Sequence, residues 1–337
     1  MSRSFVTLAA LSMAVATAFI SLQAQAVQRT HVSAAFGSDA NTATNCAAAA
    51  PCRFFAAAMS VTNPNGEVIV LDSGGYGAVT ITQSVALIAP TGVYAGISVF
   101  PGADGVTIAT AGVNVVLRGL SINGQGGNNG INMTAGNRLT VENCVISNVT
   151  QNGILVNAAA TVRVTDSIVR DNGASGIILV NGVKATITRA VVSGNVSPGI
   201  YLIGNIPSTS TVDIADSTVD GNKVGINALS SSSTAVVKLS VRDSRIVSNS
   251  DFGLVAQSFT GAAVSLTASN NMVSNNANGL GVLNVGAKII STGNTVTGNA
   301  GYGFYNNGGA VFESAGNNTV RDNGGPSGGT ITPVGTQ

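Results

Sequence analysis

Five charged residues recur at one place in a repeating sequence: Glu142, Asp166, Arg189, Asp216 and Asp243. Each follows a short alternating apolar stretch, and alignment on a recurring Asn continues the column as Ser269, Gly293 and Asn317. If the repeats stack as β-coils, neighbours in such a column stand about 4.8 Å apart. Carboxylates that close raise one another's pKa or recruit a cation. Asp216 and Asp243 are successive members, so they are candidates for acid and base in glycoside cleavage. Arg189 could neutralise Asp166 and Asp216, or hold a uronate carboxylate through both its arms. Glu142, Asp166, Asp216 and Asp243 are likewise candidates for a cation site, with calcium as the ion. The plainer reading is that Asp and Asn suit bends and that Arg189 closes a surface ladder of ion pairs. Asp171, Asp220 and Asp251 read as solvated turn acids.

Other nucleophiles and ligands are scarce. The single His, His31, cannot complete a triad or a metal motif elsewhere in the chain. Cys144 lies within an apolar strand pattern and reads as a small buried hydrophobe. The Gly-rich runs at Gly74 to Gly77 and Gly124 to Gly127 precede no helix, so they are turns and not phosphate loops. Tyr201, Phe252, Tyr302 and Tyr305 flank recurring glycines. They pack against the core or rim, or offer rings to a sugar.

What must position these residues is a repeat. Gly recurs at Gly130, Gly153, Gly176, Gly199, Gly225, Gly253, Gly279 and Gly303, and Asn at Asn148, Asn172, Asn195, Asn222, Asn249, Asn275, Asn299 and Asn323. A period of this size marks a stacked array. Leucine-rich repeats share the period, but Leu is scarce here. Each repeat reads as three short strands separated by bends, as in Thr161 to Val164, Ile168 to Val169 and Gly176 to Val180. Three strands per turn, stacked coil on coil, make an all-β right-handed parallel β-helix of roughly eleven coils. The Asn column forms an amide ladder. The Gly supplies positive φ or admits a close backbone.

This texture resembles the right-handed parallel β-helix proteins of the pectin lyase-like superfamily, over Gly66 to about Asn323. The resemblance implies a fold and raises the expectation of polysaccharide cleavage. The motifs for that are missing. Polygalacturonase-type Asn-Thr-Asp, Asp-Asp and Gly-His-Gly segments are absent, with Val164 to Asp166 the nearest. The Arg-x-Pro-x-x-Arg segment of pectate-lyase-type enzymes and the Asp-Pro-His-Asp of alginate epimerases are absent too.

Composition bounds the rest. Charged residues are 9% of 337 and the net charge is +1, against roughly 25% charged in typical domains. No Lys/Arg run appears, so nucleic acid is not an expected partner. Residues 1–26 carry Arg3, an apolar run and Ala24-Gln25-Ala26, the pattern of a secretory signal. The mature chain should begin at Val27, be periplasmic or extracellular, and contain no membrane span. Export permits disulfides, and the spacing of Cys46 and Cys52 suits a local bridge. Residues 27–65 then form an N-terminal cap with a helix over Cys52 to Val61, residues 66–323 the β-helix, and residues 324–337 a Gly/Pro-rich tail. The expected function is an exported scaffold presenting an elongated face to polysaccharide or a cell-envelope partner. The alternative is a divergent polysaccharide lyase or glycoside hydrolase working through the acidic column.

Overall fold

The computed structural model describes residues 27–335. The export signal expected over residues 1–26 lies outside them. The chain winds into about eleven coils that build three parallel sheets of 13, 11 and 11 strands. One coil illustrates the order: Thr161–Thr165 in the first sheet, Ile168–Arg170 in the second, Ile177–Val180 in the third. Every pairing joins a strand to its counterpart one coil away. Among the described residues no helix is long and apolar enough to cross a membrane.

Alternation within each strand sends every second side chain inward, and the register then stacks like on like. One inward column of the first sheet runs Leu139, Val162, Ala185, Val212, Leu239, Leu266, Ile289 and Phe312, all buried. Each large side chain so buried is worth about 1.5–3 kcal/mol. These columns are the core.

Both ends differ from the sequence reading. Val27–Val32 is not cap but a strand of the first sheet, parallel to Thr62–Val70. The helix, α1, spans Phe55–Val61. It starts three residues late because Cys52 is committed elsewhere, its amide donating to the His31 carbonyl. The Arg53 and Phe54 amides donate to Asp39 Oδ1. Phe55, Ala58 and Met59 of α1 close the first coil, with Phe55 against Tyr76 at 5.4 Å between ring centres. Cys46 and Cys52 form a disulfide beside it. At the other end, the stretch expected as a tail contributes Gly325–Gly328 and Thr332–Val334 to the third and first sheets. Glycine and proline did not prevent pairing there, because an edge strand needs only one satisfied side.

Asp72 clasps the N-terminal cap to the stack. It accepts hydrogen bonds from Ser33 Oγ, from the Ala34 and Ala35 amides and from the Tyr76 hydroxyl. Burial pushes its carboxyl up, but those bonds outweigh burial and hold it at about 2. A folded-state value below the unfolded one means stability present above pH about 4. It is lost as the pH falls from there towards 2. Thermal unfolding from pH 5 to pH 2 should therefore decline more steeply for the native chain than for Asp72→Asn. Parallel curves would show that the clasp contributes nothing.

Candidate functional site

The acidic column sits where the first sheet turns into the second. That bend places one residue per coil in the left-handed region: Gly119 at φ 73°, Asn143 at 51°, Asp166 at 51°, Arg189 at 49°, Asp216 at 51°, Asp243 at 51°, Asn270 at 55° and Gly293 at 64°. Only Gly, Asn and Asp adopt this conformation readily, so the backbone selects most of the column. Glu142 and Ser269 do not belong to it. Each is the last residue of a first-sheet strand, one position earlier, and Glu142 is engaged by Arg118 at 2.7 Å. The sequence alignment slipped by one there because Asn143 and Asn270 are the true bend residues.

Arg189 is the exception among the bend residues. Its Nε and Nη2 reach Asp166 Oδ1 and Oδ2 at 2.6 and 2.7 Å. The Arg189 hydrogen bond holds the Asp166 carboxyl below the usual carboxylate range, and Asp166 raises the guanidinium in turn. Both side chains are solvent-exposed, where such a pair adds little. Asp216 and Asp243 are exposed on adjacent coils. Among the described residues no three of His, Cys, Asp and Glu are gathered to hold a metal ion.

The loop of Pro90 to Val93 walls a depression of about 490 Å³ at Gly119 and Asn143, the first bend residues. The longer coils spend their extra residues at the opposite edge of the first sheet, in the connections at residues 205–208 and 231–235. They also lengthen strands: Thr209–Ala215, Val236–Arg242 and Ala263–Ser269 have seven residues each, against five in Thr161–Thr165.

The amide ladder lies at the bend between the second and third sheets, with two members corrected. It runs Asn172, Asn195, Asn222, Asn249, Asn276, Asn299 and Asn323, each donating its backbone amide to the Oδ1 of the next. Asn275 and Asn148 stand one residue earlier, at the left-handed bend itself, with φ of 57° and 59°. On the Asn148 coil the ladder place is Val149, whose amide donates to Asn172 Oδ1. A second ladder, missed in the sequence, follows the acidic column: Ser217, Ser244, Asn271, Asn294 and Asn318. Its signal was a Ser or Asn directly after Asp216, Asp243, Asn270, Gly293 and Asn317.

The outer face of the third sheet differs in kind. The outward positions on successive coils are Asn132, Leu155, Ile178, Tyr201, Asn227, Val255, Gly281 and Tyr305, of which Asn227, Val255 and Gly281 are buried beneath their neighbours. The adjacent outward column is Asn157, Val180, Ile203, Leu229, Gln257, Leu283 and Asn307, with Val180 and Leu229 buried. Neither contains a carboxylate, an imidazole or a cation. Phe252 lies over Gly281, where a Cβ would come within 2.4 Å of its ring. Its ring centre is 6.0 Å from Tyr305, which stacks on Tyr302 at 5.6 Å and 22°. Tyr201 is half-buried, which pushes its phenol up. The four aromatics flagged in the sequence thus lie along one face, three of them in contact. At the N-terminal end the face opens into a depression of about 540 Å³ lined by Met59, Ser60, Thr80, Asp104 and Thr107.

Similar structures carry this fold. Pectate lyase Pel9A aligns with a TM-score of 0.51 and 14% identity, over 90% of this chain and 81% of that one. The A-modules of two Azotobacter vinelandii mannuronan C-5 epimerases align likewise. AlgE6 gives 0.54 and 15% identity over 90% of this chain and 96% of its own. AlgE4 gives 0.52 and 15% over 81% and 91%. At such identities the likeness is one of fold. No curated protein sequence matches the chain. The family model described as the right-handed beta helix region matches residues 66–240, and with three stacked parallel sheets on the page, the chain belongs to the right-handed β-helix family.

Proposed function

We propose that this protein is an exported, non-catalytic scaffold that binds polysaccharide along the outer face of the third sheet. The observation that carries the reading is the chemistry of that face. It is elongated, its two outward columns are uncharged and lined by amides and aliphatics, Asp104 stands at its N-terminal end beside Asn132, and it gathers Phe252, Tyr302 and Tyr305 into one cluster. Aromatic rings offer large, rigid contact area at small entropic cost. Amide side chains supply donors and acceptors for hydroxyls. The two outward columns hold no pair of carboxylates to serve as general acid and base. The fold shared with a pectate lyase and with mannuronan epimerases supports a carbohydrate partner. The Cys46–Cys52 disulfide supports an oxidising compartment.

Calorimetric titration with neutral and acidic oligosaccharides tests the reading. A binding sugar should lose roughly tenfold in affinity with Tyr305→Ala, while the Asp216→Asn, Asp243→Asn double variant binds as the native chain does. The same samples should yield neither unsaturated sugars nor new reducing ends. A calcium-dependent rise in Tm that Asp216→Asn abolishes, accompanied by product, would overturn the scaffold reading and install the bend column as an active site.

A further inference from the structure

The sequence holds nine Asn-Gly pairs. In such a pair the glycine nitrogen can attack the asparagine side chain, because no Cβ shields it. Folding commits eight of the nine elsewhere. The nitrogens of Gly130, Gly153, Gly173 and Gly324 donate to carbonyls of a neighbouring coil, and that of Gly182 donates to Ser210 Oγ at 2.9 Å. Gly66, Gly124 and Gly279 lie within strands. The Oδ1 atoms of Asn123 and Asn278 are held as well, by Asn148 Nδ2 at 2.7 Å and by the Tyr302 amide at 3.0 Å. Asn65 is exposed, but Gly66 beside it is buried and boxed in by the Gln28 and Asn63 carbonyls. Asn307 is the exception. The Gly308 amide donates to the Oδ1 of Asn307 itself, at 2.7 Å. Oδ1 is bonded to Cγ, so the nitrogen stands beside the carbon it would attack. Asn307 Nδ2 makes one long hydrogen bond, to the Tyr305 hydroxyl at 3.3 Å. Asn307, Gly308 and Gly309 are all exposed, in the turn between the strands Tyr302–Asn307 and Val311–Ala315. The terminal torsion of Asn is broad, so a small rotation brings Cγ onto the nitrogen.

We propose that Asn307 is a site of spontaneous deamidation, which places a carboxylate on the third-sheet face beside Tyr305. Hydroxide removes the Gly308 amide proton. The nitrogen forms a bond to Asn307 Cγ, the Cγ–Nδ2 bond breaks, and the side-chain nitrogen leaves as ammonia with a proton from water. The product is a cyclic imide, which water then opens. Cleavage of the new N–Cγ bond gives aspartate with the main chain unchanged. Cleavage of the original Asn307–Gly308 peptide bond gives isoaspartate, whose main chain runs through Cβ and Cγ. In sum, asparagine and water become an acid and ammonia, and nothing is oxidised or reduced. Holding the nucleophile against the atom it attacks is what accelerates such a closure. Either product brings a negative charge to a column that has none and removes the donor facing the Tyr305 hydroxyl. Isoaspartate also displaces the chain, because Asn307 pairs with Leu283 and its carbonyl accepts from the Asn284 amide at 2.9 Å. The reaction needs no ligand and does not depend on the sugar-binding reading.

The test holds the folded chain, residues 27–337, in mildly alkaline buffer and maps its peptides by mass spectrometry, with isoaspartate scored by an isoaspartyl methyltransferase. Conversion should appear first at Asn307, roughly tenfold ahead of every other Asn-Gly pair, and should rise in proportion to hydroxide. In urea that lead should vanish, because only local sequence then distinguishes the pairs. Asn307→Gln adds a methylene and makes ring closure far slower. It should stay a single species on ion exchange while the native chain splits off an acidic form, with Tm recorded to confirm folding. Asn307→Asp should co-elute with part of that acidic form. The proposal fails if Asn65, Asn181 or any other Asn-Gly pair converts as early as Asn307 in the folded chain. It fails equally if the lead of Asn307 persists unchanged in urea, or if Asn307→Gln yields the acidic form at the native rate. If Asn307→Gln does not fold, the order of conversion in the native chain, folded against unfolded, decides by the same reading.

Discussion

Asn222→Ala should be among the most damaging single substitutions in the chain, costing on the order of 3 kcal/mol. Asn222 is 2% exposed and makes contacts to both neighbouring coils. Its Oδ1 accepts from the Asn195 backbone amide at 3.0 Å and from Asn195 Nδ2 at 2.8 Å. Its Nδ2 donates to the Val192 and Asp220 carbonyls, each at 3.1 Å, and to Asn249 Oδ1 at 3.2 Å. Truncation strands these groups out of reach of water, and each buried polar group left unpaired costs about 1–3 kcal/mol. Relaxation and the lower desolvation of Ala recover part of that, which sets the total. Asn222→Asp separates the amide's two roles. It keeps an acceptor and turns the donor towards carbonyl oxygens as a second acceptor. The ionised form is then disfavoured and the folded-state carboxyl rises above its unfolded value. The variant should therefore be destabilised at neutral pH and recover as the pH falls, the opposite sense to Asp72. Chemical denaturation at pH 7 and pH 5 measures both effects. A cost below 1 kcal/mol for Asn222→Ala would show that the ladder is ornament. Because solenoid stability sums over neighbouring coils, the loss should appear as a local opening around this coil in hydrogen exchange.

Gly225→Ala should cost about 1–3 kcal/mol, the range for overpacking a tight site. The recurring glycines are not there for positive φ. Those at Gly130, Gly153, Gly176, Gly199, Gly225, Gly253 and Gly279 each face the carbonyl of the corresponding glycine on the next coil. A Cβ at Gly225 would stand 2.4 Å from the Gly253 oxygen, 2.6 Å from Ile246 Cγ2 and 2.9 Å from Asn249 Nδ2. Backbone cannot rotate away as a side chain can, so the coils must part and the Asn ladder beside them must stretch. Gly316→Ala is the control: nothing lies within 4 Å of its added Cβ, and its effect should stay within about 0.5 kcal/mol. Equal Tm values for the two variants would refute the close-approach account. A larger side chain at Gly225, such as Val, should deepen the loss.

The sequence by itself determined the three-stranded coil, the number of coils and the inward columns. These follow from alternation and from a repeat whose Asn and Gly obey local rules, and local rules survive in one dimension. It placed the amide ladder to within one residue. It could not tell Asn275 from Asn276, because adjacent asparagines differ only in which one takes the left-handed bend and which turns inward. The same ambiguity put Glu142 in a column that belongs to Asn143. It found the aromatic residues without showing that Phe252, Tyr302 and Tyr305 meet. Only the tertiary structure decided what shares a face. Arg138, Lys184 and Lys238 lie 46 and 54 positions apart, and coils of unequal length scramble any fixed spacing between them. Strand register, set by backbone hydrogen bonds between coils, restores them to a single line. That same register exposes the acidic column at a bend whose left-handed backbone selects Gly, Asn or Asp at most of its positions.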